Sequence, residues 1–195
     1  AKRLGGDRIE PFRPAFRTGK DDTSLLVDDL KSALEHGVIN VVYQPIVNLA
    51  DRSTIGFEAL VRWNHPKLGL ISPADFVPAA ERSGLITQLG VYVLNRSMQD
   101  FNRIYEAYPD FKPFVSVNVS SRELLEDDFV TDIDKAMQEV DFDPSNLKLE
   151  LTESMVMENP EHSDRVLARL RGLGIGLSLD DFGTGYSSLS YLLRF

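Results

Sequence analysis

Glu58 stands within Phe57-Glu58-Ala59-Leu60-Val61, Asn118 between Val117 and Val119, Glu150 between Leu149 and Leu151, and Asp180 directly after Leu179. Each is a polar side chain on a segment that otherwise reads as an apolar strand. A lone residue of this kind is ordinarily buried and satisfied by hydrogen bonds. Four in comparable positions near strand ends form a set. Carboxylates gathered in a small volume need a counterion, because burying unpaired charge costs on the order of several kcal/mol or more. Oxygen ligands from Glu, Asp and Asn suit a hard cation, Mg²⁺, Mn²⁺ or Ca²⁺. The adjacent pair Asp180-Asp181 could reach two ions from one strand end, as two-metal phosphoester hydrolysis requires. Asp181 could equally cap the following turn. His36, His65 and His162 fall at a helix end, in a loop and at a helix start, and all are expected at the surface.

The residues around this set have chemistry of their own. Strand alternation places Glu58, Leu60 and Arg62 on one face and Phe57, Ala59 and Val61 on the other. Arg62 could offer its planar fork to a phosphate beside the cation, or pair with one of the carboxylates. Gln44 carries both a donor and an acceptor, which would serve a base edge or an ion shell. The run Asp181-Phe182-Gly183-Thr184-Gly185-Tyr186-Ser187-Ser188 brings two glycines to the neighbourhood, either as a moving lid or as a tight strand-to-helix turn. Glu153, where a strand is expected to become a loop, could hold that run by hydrogen bonds or be solvated.

These residues need a scaffold, and the chain can build one. It has 195 residues, 43% of them hydrophobic and 26% charged, enough for one sizeable core. With 21 basic and 30 acidic residues the net charge is −9, which argues against a nucleic-acid polymer as partner and gives no attraction to anionic lipid. Cysteine is absent, so disulfides, thiolate metal sites and cysteine nucleophiles are excluded. No apolar run approaches the ~20 residues of a membrane span, and no signal-peptide layout is present. Cytoplasm is the expected compartment. The opening Ala1-Lys2-Arg3, without Met, reads as cut from something longer.

Residues 1–22, rich in Arg, Lys, Pro and Gly, are expected to be a linker. A helix is expected over Ser24–His36, with Asp22 or Thr23 as cap and Gly37 as stop. Strands over Val41–Leu49 and Ile55–Trp63 are joined too closely for a crossover and should pair antiparallel. Ser72-Pro73-Ala74-Asp75 opens a helix ending by Gly84, and a longer one follows over Leu85–Tyr105. Then come a strand at Phe114–Val119, a helical stretch over Ser121–Val140, a strand at Leu147–Leu151, a helix at Pro160–Leu173, a strand at Gly176–Leu179, and a helix at Tyr186–Leu193. This alternation at intervals of about 30 residues is that of βα units in a parallel sheet. In a parallel barrel, strand ends converge on one mouth, where such folds place their chemistry. Five strands make part of a barrel, so the rest of the domain or a partner chain is expected to cover its open edge.

The stretches Tyr43-Gln44-Pro45-Ile46, Glu58-Ala59-Leu60-Val61-Arg62-Trp63, Phe76-Val77-Pro78-Ala79-Ala80-Glu81, Ser116-Val117-Asn118-Val119-Ser120, Leu149-Glu150-Leu151-Thr152-Glu153-Ser154 and Asp180 to Leu189 together resemble the EAL domains that cleave cyclic di-GMP. They occur in family order over residues 43–195. The resemblance implies an α/β fold, a modified (β/α)₈ TIM-like barrel with an antiparallel first strand, of which this chain holds the first five strands and residues 23–195 the N-terminal part. It implies that Glu58, Asn118, Glu150 and Asp180 bind a catalytic Mg²⁺ or Mn²⁺, that Asp181 supports a second ion, and that Ca²⁺ enters only as an inhibitory or crystallisation ion. Gln44, Leu60 and Arg62 would contact cyclic di-GMP, and Glu153 would secure the glycine loop. The implied reaction is hydrolysis to linear pGpG, with Glu58, Asp180 and Asp181 as its catalytic acids. Residues Ala1 to Arg8 also resemble the end of a GGDEF domain, which would make an upstream GGDEF or sensory domain a partner in the parent chain; homodimerisation through the EAL domain is a further implied contact. The family's later lysine, glutamates and glutamine would fall beyond residue 195, so the fragment alone is expected to be inactive. Two other functions stay open: a receptor that binds the dinucleotide without cleaving it, and an unrelated metal-dependent barrel enzyme acting on a small carboxylate.

Overall fold

A hairpin starts the sheet. β1 (Asn40–Val47) and β2 (Thr54–His65) pair antiparallel, with Gln44 opposite Glu58 and Val42 opposite Leu60. Their turn closes on side chains: Asn48 and Asp51 accept from the backbone N–H groups of Ala50 and Ser53, the local bonding that makes such residues turn formers. The protein is seen in a computed structural model that describes residues 20–180. A short strand, β3 (Gly69–Ile71), folds back onto the end of β2. All later additions are parallel: β4 (Phe114–Asn118) beside β2, β5 (Leu147–Thr152) beside β4, and β6 (Gly176–Asp180) beside β5. The order β1-β2-β4-β5-β6 is an open arc among the described residues, with the antiparallel strand at one edge.

The helices are α1 (Lys20–Glu35), α2 (Pro73–Ser83), α3 (Ile86–Ala107), α4 (Ser121–Leu124), α5 (Phe129–Glu139), α6 (Glu153–Glu158) and α7 (Pro160–Gly172). They cover the sheet face formed by Ala59, Trp63, Val115, Val117, Leu147, Leu149 and Leu151, all buried. Phe76, Leu89, Met98, Phe101, Ile133 and Leu170 meet that face from the helical side in one core. Phe101 of α3 stands edge-on to both Tyr43 and Phe57, with ring centroids 5.3 and 5.8 Å apart, and Trp63 does the same to Phe76 at 5.6 Å. α2 starts at Pro73 with Asp75 in its first turn and ends on Gly84 at φ 81°, a left-handed conformation that glycine adopts without steric cost. No helix among the described residues is long and apolar enough to cross a membrane.

Several elements differ from expectation. α1 begins at Lys20, ahead of the expected cap at Asp22 or Thr23. The helical stretch over Ser121–Val140 is two helices. Glu126-Asp127-Asp128 lie just past the end of α4, where the helix dipole disfavours negative charge, and just before α5, where it favours it. Glu153 opens α6 instead of a loop, an acid in a helical first turn. His65 is not at the surface. It is 5% exposed; its Nδ1 accepts from the backbone N–H groups of Lys67 and Leu68 at 3.2 and 3.1 Å, and its Nε2–H donates to Asp29 of α1 at 3.1 Å. These three bonds supply the partners that burial of an imidazole requires. His162 is half-buried, with Nε2 donating to the Leu124 carbonyl, whereas His36 is exposed. The expected helix at Tyr186–Leu193 lies outside the described residues.

The floor beneath the open sheet face sets a tight packing condition. Gly56 pairs with Phe114 in the β2–β4 register, and a Cβ on Gly56 would meet the Phe114 ring at 2.5 Å. Gly56→Ala should therefore destabilise the fold by about 1–3 kcal/mol, the usual range for overpacking. Adding Phe114→Leu should recover part of that loss, measured as a rise in the urea midpoint of the double variant over Gly56→Ala alone.

Candidate functional site

Alternation gives the sheet a second face, and its polar residues come from every strand of the arc. Gln44 lies opposite Glu58 on β1 and β2, and Glu58 lies opposite Ser116 on β4. Asn118 is paired with Glu150 on β5, Glu150 with Ser178 on β6, and Thr152 with Asp180. The register thus places Glu58, Asn118, Glu150 and Asp180 together on one face, towards the C-terminal ends of the parallel strands. This is the mouth end that βα architecture uses for chemistry.

Direct hydrogen bonds knit the centre of the set. Asn118 Nδ2 donates to Glu58 Oε1 at 2.9 Å, and Ser116 Oγ donates to Glu150 Oε1 at 2.7 Å. Strand β4 therefore supplies one donor to the acid on each of its neighbours. Burial pushes the Glu150 carboxyl above the ordinary range, and the negative charges of Glu58 and Asp180 push it the same way, while the Ser116 hydrogen bond and Lys148 oppose them. Lys148 is two residues before Glu150 on the same strand face, and its Nζ sits over the Phe114 ring, 3.8 Å from the centroid. Ser116 and Lys148 were not among the expected site residues. The period-two spacing of Ser116 to Asn118 and Lys148 to Glu150 is the signal that could have found them.

The loop after Asn118 is held by a capping box. Ser120 Oγ accepts from Glu123 N, and the Glu123 carboxylate receives the backbone N–H and hydroxyl of Ser120 at 2.9 and 2.6 Å. Burial raises the Glu123 carboxyl above its ordinary range. Glu123 packs so closely on α3 at Gly90 that a Cβ there would overlap its carboxylate. Beside this loop is a cavity of about 290 Å³ whose lining includes Leu60, Arg62, Glu81, Asn118, Ser120 and Glu123. Leu60 and Arg62 thus border the same concave space as Asn118. Arg62 is turned onto its own strand, donating from Nη1 to the Val61 carbonyl at 2.8 Å. Gln44 is exposed beside Glu58, and Glu153 is half-buried at the start of α6. Asp181 and the glycine loop lie outside the described residues.

Oxygen donors with an excess of negative charge, one of them held unfavourably as an anion, are relieved by a hard cation in a way that no histidine or thiolate set would be. The side chains themselves do not close a coordination sphere: among the described residues no three His, Cys, Asp or Glu form a group that could hold a metal ion. Asn118 adds an oxygen to the carboxylates outside that grouping. By type, these oxygen donors are the ones a hard divalent cation takes.

A family model described as EAL domain matches residues 27–195. The chain belongs to the EAL domain family. The bifunctional diguanylate cyclase/cyclic di-GMP phosphodiesterase MucR of Pseudomonas aeruginosa is 38% identical over 184 residues, which cover 94% of this chain and 27% of that protein. The cyclic di-GMP phosphodiesterase NbdA of the same organism is 40% identical over 167 residues, covering 86% of this chain and 21% of that protein. The chain thus spans about a quarter of the length of these curated relatives. A solved structure of the PaMucR phosphodiesterase in complex with c-di-GMP superposes with a TM-score of 0.81 at 40% identity, covering 88% of this chain and 69% of that one. The open arc is accordingly part of the TIM-like barrel of EAL domains, with the antiparallel first strand in its expected place.

The electrostatics of the EAL site yield a test of charge crowding. A carboxyl whose pKa is raised by folding favours the folded state most below the unfolded carboxyl range of ~4.3, and that contribution is lost as pH rises through its higher folded value. In chelator, Glu150→Gln should therefore raise the thermal midpoint near neutral pH. The gain should shrink towards zero as pH falls to ~4, where the unfolded carboxyl also becomes protonated. Equal midpoints for variant and parent at pH 7 would show that Glu150 is not strained as an anion.

Proposed function

We propose that this chain is the N-terminal part of a divalent-metal-dependent cyclic di-GMP phosphodiesterase, and that the parent protein adds one water across one phosphodiester of the dinucleotide to give linear pGpG. The observation that carries this reading is the single-face register of Glu58, Asn118, Glu150 and Asp180 at the mouth end of the sheet. The kinship with proteins named cyclic di-GMP phosphodiesterases supports the substrate. Glu58, Asn118, Glu150 and Asp180 would hold one Mg²⁺ or Mn²⁺, and Asp181 would support a second. When bound, the metal lowers the pKa of the attacking water and neutralises phosphate charge. Arg62 would leave the Val61 carbonyl to meet a phosphate oxygen, a stronger charge-assisted partner. Gln44, beside Glu58, would hydrogen-bond the dinucleotide, and Leu60 would pack against it from the border of the adjacent cavity.

A second reading is a receptor that binds cyclic di-GMP on the same face without cleaving it. Turnover separates the two. The full-length protein with Mg²⁺ or Mn²⁺ should produce pGpG, detected by chromatography, and binding with no product would select the receptor. Glu58→Ala should reduce turnover by more than the roughly 10–100-fold that loss of an outer-sphere partner costs. Gln44→Ala should raise KM while leaving kcat within a few fold, the pattern of lost uniform binding.

A further inference from the structure

We propose that Ser116 is a positioning residue for the cation site: its hydroxyl fixes the Glu150 carboxylate through Oε1 and leaves Oε2 available to a divalent ion. The inference rests on the metal-site reading above and deepens it.

Ser116 is fully buried, at 0% exposure, on the polar face of the sheet. It lies at the crossing of three registers of consequence. It pairs with Glu58 across β2–β4 and with Lys148 across β4–β5, and it stands two residues before Asn118 on its own strand. A serine hydroxyl has one proton to donate. Here that proton goes to Glu150 Oε1 over 2.7 Å, a distance within the range of charge-assisted O–H···O⁻ bonds. Asn118 makes the matching contact on the other side, from Nδ2 to Glu58 Oε1. Each carboxylate is therefore held through its Oε1 by a donor from the strand between them. A flexible two-oxygen ligand fixed in this way has lost part of the rotamer freedom that binding an ion would otherwise remove.

A competing explanation is that Ser116 is merely a small residue that fills the space between Glu58 and Lys148. Cysteine tests this, because it has nearly the same shape and burial preference but is a weak donor. The measurement is Mn²⁺ binding to the chelator-stripped full-length protein by calorimetry, without dinucleotide, together with far-UV circular dichroism to compare thermal midpoints. Ser116→Ala and Ser116→Cys should each bind Mn²⁺ about 10–100-fold more weakly than the parent, as outer-sphere losses do. Their thermal midpoints in chelator should differ little from each other. Cyclic di-GMP binding in chelator should stay within about twofold of the parent, since Ser116 is buried and cannot reach the dinucleotide. Parental Mn²⁺ affinity in either variant would overturn the role of the hydroxyl. If the parent protein itself binds no Mn²⁺, the metal-site reading fails, and with it the inference; if the parent binds Mn²⁺ and either variant binds it equally well, the inference fails alone.

Discussion

The strand register that places Glu58, Glu150 and Asp180 on one face is the constraint around which this half-barrel is arranged. The three acids share one face because strand alternation leaves no choice once Ala59, Val117, Leu149 and Leu151 are buried against the helices. A one-residue slip of β5 would bury Glu150 and expose Leu149 and Leu151. Core packing therefore fixes the site's register: helices that touch only the apolar face decide which side chains stand together on the polar one. Burial at this position, and to a lesser degree the charges of Glu58 and Asp180, raises the Glu150 carboxyl.

The fold offsets part of this rise from within the same face. Ser116 and Asn118 donate to the two inner acids, and Lys148 opposes the accumulated charge from beneath. The floor is shaped to hold that lysine. Gly56 leaves room for the Phe114 ring to lie across β2, and the Lys148 ammonium rests over the ring. The position of the Phe114 ring thus depends on a missing side chain on the neighbouring strand, and that of Lys148 on the same glycine two strands away. Loop geometry follows the same economy, because Glu123 closes the capping box after Asn118 only where Gly90 lets it approach α3.

Much of this was legible in the sequence, and the parts that were not share a cause. The hairpin followed from a connection too short for a crossover, the α2 boundaries from Pro73 and Gly84, and the shared face of Glu58, Asn118, Glu150 and Asp180 from period two. These signals are local. His65 was expected outside because its partner Asp29 is 36 residues away and its backbone donors come from a turn that forms only with β3. Nothing local singles out Ser116, since its significance lies in which residues the neighbouring strands bring beside it. Arg62 was expected to face a phosphate or an acid; without one, its guanidinium takes the nearest carbonyl, Val61. α4 and α5 are separated by a run that includes Glu126-Asp127-Asp128, a break that periodicity alone does not register.

The raised Glu150 carboxyl is itself informative. A lysine paired directly with Glu150, or a second donor on each carboxylate, would satisfy the charges and stabilise the protein in the absence of any ion. Such a site would then have little to gain from a cation, because ion binding would have to displace the internal partner. Lys148 instead has its ammonium over an aromatic ring, close enough to oppose the charge on Glu150, and the donors from β4 engage Oε1 of Glu58 and of Glu150. The two inner carboxylates, Glu58 and Glu150, are held in place by donors from β4. Sites that depart from the most stable arrangement of their own residues are where function is expected to reside. Here the departure is confined to the strand ends of the EAL domain, while the opposite face of the same strands packs as an ordinary apolar core.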